Sequence, residues 1–271
     1  MPQVFNLKDQ VFIKQIMDKP NKILVYTIFR NSEKHLNAYY NQVKNMVEFF
    51  PDIEFYFSAY ENDSTDNTSE ILKNLDWSFF KDFSIVTEKI KTKHFNSVRD
   101  EERVRNLSIA RNKAIGAKDF LHKVDHVMMI ESDMKYEIDT IYKLLNFYKK
   151  EEFDIVSGFT WHYYNNVKIL YDTWATRTMK TKDYNAKNNG HPWFDLVKNW
   201  RNLEYGLYHS TSNGVCLYKA KPFQTGIRYA YISPDSKVAD CDTAVICEEF
   251  ILSGYNKIFI IHDALIEHVT N

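Results

Sequence analysis

The feature that most constrains this chain is the alternation of short apolar runs with longer helical segments through its first half. Ile23 to Phe29 reads as a buried strand, bounded by Arg30-Asn31-Ser32. Ser32 and Glu33 open a helix running to about Phe50, and Pro51 stops it. A strand from Ile53 to Ala59 follows, then a polar turn from Glu61 to Asp66 and a helix over Thr65 to Leu75. Phe83 to Thr87 is a weaker strand, and Arg99 to His122 a long helical stretch with a break. His126 to Ile130 is a clear strand, Ile138 to Tyr148 a helix and Asp154 to Phe159 a strand. This β-α-β-α rhythm predicts an α/β fold, a mostly parallel central sheet with helices on both faces.

The second half is less regular. Residues 160–210 form a loop-rich region, with Tyr163 to Trp200 dense in Asn, Lys, Tyr and Trp. Asn213 to Tyr218 resembles a strand, Asp242 to Ser253 a helix closed by Gly254, and Ile258 to Ile261 and Ala264 to His268 short strands. The expectation is one domain over residues 1–271, with residues 1–21 as an N-terminal arm.

Composition removes several classes of function. A net charge of −1 gives no global positive field for nucleic acid. With only 7 glycines there is neither a P-loop nor a GxGxxG, so phosphate binding must use metal ions, basic side chains or helix N-termini. The 3 cysteines, Cys216, Cys241 and Cys247, form no CxxC pair and read as reduced, partly buried thiols. No apolar run approaches the roughly 20 residues of a membrane span, and Met1 to Lys22 lacks a signal-peptide core. A cytoplasmic protein is expected, with a peripheral place at a membrane as the variant.

Ligands of parallel α/β sheets gather at the carboxyl ends of the strands. Three polar clusters sit there: Arg30-Asn31, Glu61-Asn62-Asp63 and Glu131-Ser132-Asp133. The last follows Val127-Met128-Met129-Ile130 directly. Two carboxylates held close repel each other unless a cation joins them, and a hard cation so held can bridge to a diphosphate. The plainer reading is a solvated acidic turn before a helix. His268 offers a third metal ligand, in competition with His262. On the helix, Ser108, Arg111 and Asn112 share a face, and Arg111 can pair with phosphate or with an acidic side chain. Asp242 and Glu249, seven apart on an otherwise apolar helix, also share a face, so either can serve as general base, although Asp242 also suits an N-cap.

In order, several motifs resemble those of the fungal capsule-associated α-1,3-mannosyltransferase family, which are GT-A glycosyltransferases. They are Tyr60 to Thr68, Ala110-Arg111-Asn112-Lys113-Ala114, Met129 to Asp133, Tyr171-Asp172-Thr173-Trp174-Ala175-Thr176-Arg177, Ser212-Asn213-Gly214-Val215, Ala220-Lys221-Pro222-Phe223, and Cys241-Asp242 through Gly254. The resemblance spans about residues 22 to 268. It implies a metal-dependent transferase moving a hexose, mannose foremost, from a nucleotide-diphosphate sugar to a glycan or lipid-linked glycan. By that resemblance Glu131 and Asp133 stand for the DxD pair, and with His268 hold Mn²⁺ or Mg²⁺. Glu61 and Asp63 contact the nucleoside, and Thr27, Arg30, Arg105, Arg111 and Ser132 lie near the donor. Trp161, Tyr171, Asp172, Trp174, Asn213 and Gly214 line the sugar or acceptor side. Glu249, with Asp242, falls where many inverting enzymes place their base. Two departures stand out: Glu131 replaces the first Asp of DxD, and the Glu248-Glu249 pair is more like inverting enzymes than like this retaining family. The alternatives are an inverting GT-A transferase of another sugar and a catalytically inactive nucleotide- or glycan-binding module. A sugar-nucleotide pyrophosphorylase would carry a Gly-rich nucleotide loop, which is absent here.

Overall fold

The computed structural model describes residues 19–95, 97, 99–164, 167–182 and 203–269. Residues 1–18 of the expected arm, and 165–166 and 183–202 of the 160–210 region, therefore lie outside the described residues. Among the described residues ten strands form one sheet: β1 (Lys22–Phe29), β2 (Glu54–Asn62), β3 (Asp82–Glu88), β4 (His126–Ile130), β5 (Met134–Tyr136), β6 (Ile155–Tyr164), β7 (Val167–Leu170), β8 (Tyr205–Leu207), β9 (Val215–Lys219) and β10 (Ile258–His268). Their order is β3-β2-β1-β4-β9-β6-β10-β5, with β7 added to β6 and β8 to β10.

β1 is buried along nearly its whole length because both its faces are covered, which is why it reads as a continuous apolar run. Its alternation assigns the two faces. Ile23, Val25 and Phe29 pack with Leu36, Tyr39, Val43 and Met46 of helix α1 (Glu33–Phe49) and with Ile141 and Leu144 of a helix over Ile138–Asn146. Leu24 and Tyr26 face the other way, onto Ala110, Ala114 and Ile115 of a helix over Glu101–Ile115 and onto Ile246 and Phe250 of one over Asp242–Leu252. Numbered along the chain, the α-helices among the described residues are α1, α2 (Thr68–Asn74), α3 (Glu101–Ile115), α4 (Ile138–Asn146), α5 (Ala220–Gln224) and α6 (Asp242–Leu252). Register keeps each face consistent: Val25 pairs with Phe57 on one side and Met128 on the other, all in the same core. Each such side chain removed from water contributes roughly 1.5–3 kcal/mol.

The expected helices on both faces are present, and β3, β2, β1 and β4 run parallel. β9 is inserted antiparallel between β4 and β6. Two expected strands near the C-terminus are one: β10 runs through, and its register on β6 shifts between Ile260 and Leu265. The expected break after Arg99 falls at Gly116, where α3 gives way to a 3₁₀ stretch whose Lys118 and Asp119 have positive φ. All three cysteines are buried and unbridged. Among the described residues no helix is long and apolar enough to cross a membrane.

Candidate active site

Parallel pairing puts the ends of β1, β2 and β4 on one edge, with Phe29 level with Glu61. A cleft of about 880 Å³ opens there. Its wall is built from Ile28–Ser32, Asn62, the segment from Thr92 into α3, the acidic turn Glu131–Asp133, Leu170–Trp174 and the first turn of α6.

The floor is organised by Arg111, which is buried on α3. Its Nε donates to Asp242 Oδ2 at 2.7 Å and its Nη2 to Glu131 Oε1 at 2.8 Å. Burial works against the guanidinium charge, but Asp242 and Glu131 outweigh it and push its pKa above the ordinary value. Arg111 thus pairs with acidic side chains, one of the two kinds of partner foreseen for it. Asp172 also enters this floor, from a backbone in the left-handed region (φ 54°) that non-glycine residues seldom adopt. Its Oδ1 accepts from the Ala175 N–H at 3.3 Å. Burial first, then the charges of Glu131 and Asp242, push its pKa up to about 7 against the pull of the Ala175 N–H and Arg111. Three carboxylates around one guanidinium leave the floor with excess negative charge.

Asp133 lies in the same acidic turn and also lines the cleft. Its Oδ2 lies 3.2 Å from His268 Nε2. Tyr171 stacks on the His268 ring at 4.0 Å between centroids and 10° between planes, fixing the imidazole beside the carboxylate. The Ser132 hydroxyl meets that of Ser32 at 3.2 Å. Oxygen and imidazole nitrogen are donors that Mn²⁺ and Mg²⁺ accept. Among the described residues no group of three His, Cys, Asp or Glu side chains is already arranged around one ion. Asp133 and His268 are the residues of the acidic turn and β10 that could hold such an ion, while Glu131 gives its Oε1 to Arg111.

Basic side chains line the cleft as well. Arg30 is held by donation from Nη2 to the Thr92 carbonyl at 2.8 Å, and Arg99 and Arg103 reach it from the start of α3. Neither Arg99 nor Arg103 was singled out from the sequence. Arg103 is eight residues before Arg111 with Leu107 between, the i, i+4, i+8 spacing of one helical face, so the signal was there. Arg105, expected near the donor, is exposed and does not line the cleft, since it falls between those positions.

Other expected residues support the cleft from behind. Thr27 is buried, its hydroxyl donating to the Ile130 carbonyl at 2.7 Å and meeting Tyr39 Oη. The buried Glu61 carboxylate accepts from the Ser64 N–H at 2.8 Å. Asp63 accepts from Lys91 N–H (2.9 Å), Thr92 N–H (2.8 Å) and the Asn62 amide (3.1 Å). Burial opposes its charge, but these hydrogen bonds hold it well below the usual carboxylate range. Glu61 and Asp63, expected to contact the nucleoside, do not line the cleft; they shape the loops beside it, with Asn62 and Thr92 lining the cleft itself. Asn213 is fully buried, its amide donating to Thr211 Oγ1 at 2.8 Å. Gly214 has φ +68°, a Cβ there would run into Met134, and its carbonyl accepts from the Glu131 N–H at 2.8 Å. Trp161 lines a separate hollow of about 180 Å³ with Tyr136, Tyr163 and Leu265. His262, the competitor for metal, instead bonds Tyr208 Oη and the Leu203 carbonyl.

The structure does not bring Glu249 to the cleft. Sharing a helix face with Asp242 would matter if α6 lay along the cleft, but it enters end-on. Only Cys241, Asp242 and Thr243 reach it, and seven residues on is about 10 Å further along the axis. Its neighbour Glu248 is buried against Arg177 and Ser233.

The family model described as cryptococcal mannosyltransferase 1 matches residues 22–249. No curated protein matches the chain. Among solved structures, S. aureus TarS residues 1–349 aligns with a TM-score of 0.54 at 14% identity, covering 92% of this chain and 60% of that one. TarS is also known in complex with UDP-GlcNAc, aligning with a TM-score of 0.53 at 14% identity over 92% of this chain and 59% of that one. The mannosyltransferase PcManGT from Pyrobaculum calidifontis, in complex with GDP-Man and Mn2+, aligns at 0.55 and 10% identity, covering 94% of this chain and 58% of that one. The chain thus spans about 60% of the length of the first of these structures. At such identities the likeness is one of fold, and the fold is that of GT-A glycosyltransferases. With a match over most of its length, the chain belongs to the cryptococcal mannosyltransferase 1 family of glycosyltransferases.

Proposed function

We propose that this chain is a divalent-cation-dependent glycosyltransferase that moves a hexose, mannose foremost, from a nucleotide-diphosphate sugar to a glycan or lipid-linked glycan. The observation that carries the reading is one cleft at the strand ends holding both a basic set (Arg30, Arg99, Arg103) and an acidic set (Glu131, Asp133, Asp172, Asp242). A cation-bridged diphosphate joined to a sugar needs that combination. Complexes of fold neighbours with UDP-GlcNAc, and with GDP-Man and Mn2+, support the same class of ligand.

In this reading Asp133 and His268 hold Mn²⁺ or Mg²⁺, which when bound neutralises charge on the leaving diphosphate. Arg30, Arg99 and Arg103 bind the phosphates, and the nucleoside lies toward Asn62 and Thr92. The bond from the anomeric carbon to the diphosphate oxygen breaks, its electron pair leaving with the nucleoside diphosphate. An acceptor oxygen forms the new bond and gives up its proton to an oxygen of the departing diphosphate. The acidic floor faces the positive charge that develops on the sugar. Asp172 is the part of it that Arg111 does not bind, since Arg111 pairs with Glu131 and Asp242. Incubation with GDP-mannose or UDP-GlcNAc and Mn²⁺ tests the proposal: nucleoside diphosphate release that chelator abolishes is expected. Binding of a donor with no turnover, even after acceptor glycans are added, would instead identify an inactive binding module.

A further inference from the structure

Behind the cleft lies a buried charged cluster that none of these steps uses. Arg177 is 1% exposed, Asp240 3% and Glu248 4%. Arg177 Nη2 donates to Asp240 Oδ1 at 2.8 Å, and its Nη1 lies 3.4 Å from Glu248 Oε1. Ser233 Oγ donates to the other Glu248 oxygen at 2.7 Å. Buried ion pairs seldom add stability over apolar side chains of the same size, so a cluster of three charges calls for another explanation.

Asp240 Oδ1 supplies one. That single oxygen accepts from Arg177, from the Trp174 indole N–H at 2.9 Å and from the Cys241 N–H at 2.7 Å, at the N-cap of α6. Arg177 also reaches the Trp174 carbonyl, with Nε and Nη2 each at 3.4 Å. Trp174 is thus tied by its indole N–H and by its backbone to the same ion pair. Its ring packs against Ala175, Cys241 and Ala244, and what remains uncovered lines the cleft beside Asp172. An indole with a satisfied N–H and a partly open ring is suited to stack on the apolar face of a pyranose.

We propose that Arg177 and Asp240 are positioning residues that set Trp174 as the platform for the sugar ring of the donor. The inference rests on the glycosyl-transfer reading. With the nucleoside toward Asn62 and the diphosphate at the 131–133 turn, the sugar extends toward the 171–174 turn and the first turn of α6, where Trp174 sits.

Isothermal titration in Mn²⁺ tests it, with GDP against GDP-mannose and UDP against UDP-GlcNAc, on wild type and on Trp174→Ala, Trp174→Phe, Asp240→Asn, Asp240→Ala and Arg177→Lys. In the pair that wild type binds, nucleoside diphosphate affinity stays unchanged in every variant, which also shows that each is folded. Nucleotide-sugar affinity falls roughly tenfold in Trp174→Ala and Asp240→Ala. Trp174→Phe, Asp240→Asn and Arg177→Lys lose less, because a ring, an acceptor oxygen or a cation remains. Equal losses for diphosphate and nucleotide sugar, or no loss in Trp174→Ala, would overturn the proposal. A wild type that binds no diphosphate or nucleotide sugar would overturn the glycosyl-transfer reading, and this inference with it.

Discussion

Asp172 and Arg111 carry the electrostatics of the cleft, and each yields a prediction at its own scale. The Asp172 pKa is raised from 3.8 to about 7. A carboxyl whose folded pKa lies above its unfolded one contributes stability that is complete below the unfolded value and lost as pH rises through the folded value. Asp172→Asn keeps an acceptor for the Ala175 N–H and removes the charge. It is therefore expected to melt higher than wild type at pH 8, with the difference shrinking toward pH 5. Turnover should behave oppositely. In the proposed mechanism the ionised carboxylate faces the developing positive charge, so wild-type kcat is expected to rise as pH passes about 7, and Asp172→Asn to flatten that limb with a loss of roughly 10²-fold or more. A pH series of melting temperature and kcat checks both. Arg111→Met leaves Glu131 and Asp242 together without their cation. Removing one partner of a buried pair costs roughly 3–5 kcal/mol, to be read by urea denaturation against an exposed pair such as Lys93–Glu102, whose disruption should be hardly detectable.

Helix ends, more than helix faces, set what reaches the cleft. α3 begins at Asp100, whose carboxylate accepts from the Glu102 and Arg103 N–H groups. Asp100→Ala should destabilise the protein by about 1 kcal/mol. By loosening the first turn that carries Arg103, it should also raise KM for the donor more than it lowers kcat; kinetics and denaturation on the same variant read the two effects. The same distinction explains what the sequence did and did not reveal. Strand β4 and its acidic turn were legible because an apolar run ending in two carboxylates marks a sheet edge directly. Glu249 misled because periodicity reports which residues share a face, not whether a helix meets the site by its side or its tip. β5, β7 and β8 were not foreseen: three or four residues are too few to show alternation. The Tyr171–Arg177 turn has no periodic pattern at all, and only the family resemblance singled it out.

At the scale of the molecule, the parallel half of the sheet could be read from its strand–helix rhythm, whereas the antiparallel insertion of β9 between β4 and β6 could not. Val215–Lys219 is as apolar as a parallel strand because it too is buried on both faces, and its direction is set by tertiary pairing rather than by its own residues. That insertion matters, since it carries Gly214, whose carbonyl holds the Glu131 N–H and so fixes the acidic turn. The sheet thereby makes one rigid edge on which cation, phosphates and sugar are to be bound together. In the proposed reading they bind as one unit, so loss of the cation pair should remove donor binding as a whole. The most direct measurement is calorimetric titration of GDP-mannose and UDP-GlcNAc into wild type and Asp133→Ala, each with Mn²⁺ and with chelator. The account predicts donor binding by wild type in Mn²⁺ only, and none by Asp133→Ala at the same concentrations. Donor affinity that is unchanged both by chelator and by Asp133→Ala would contradict it.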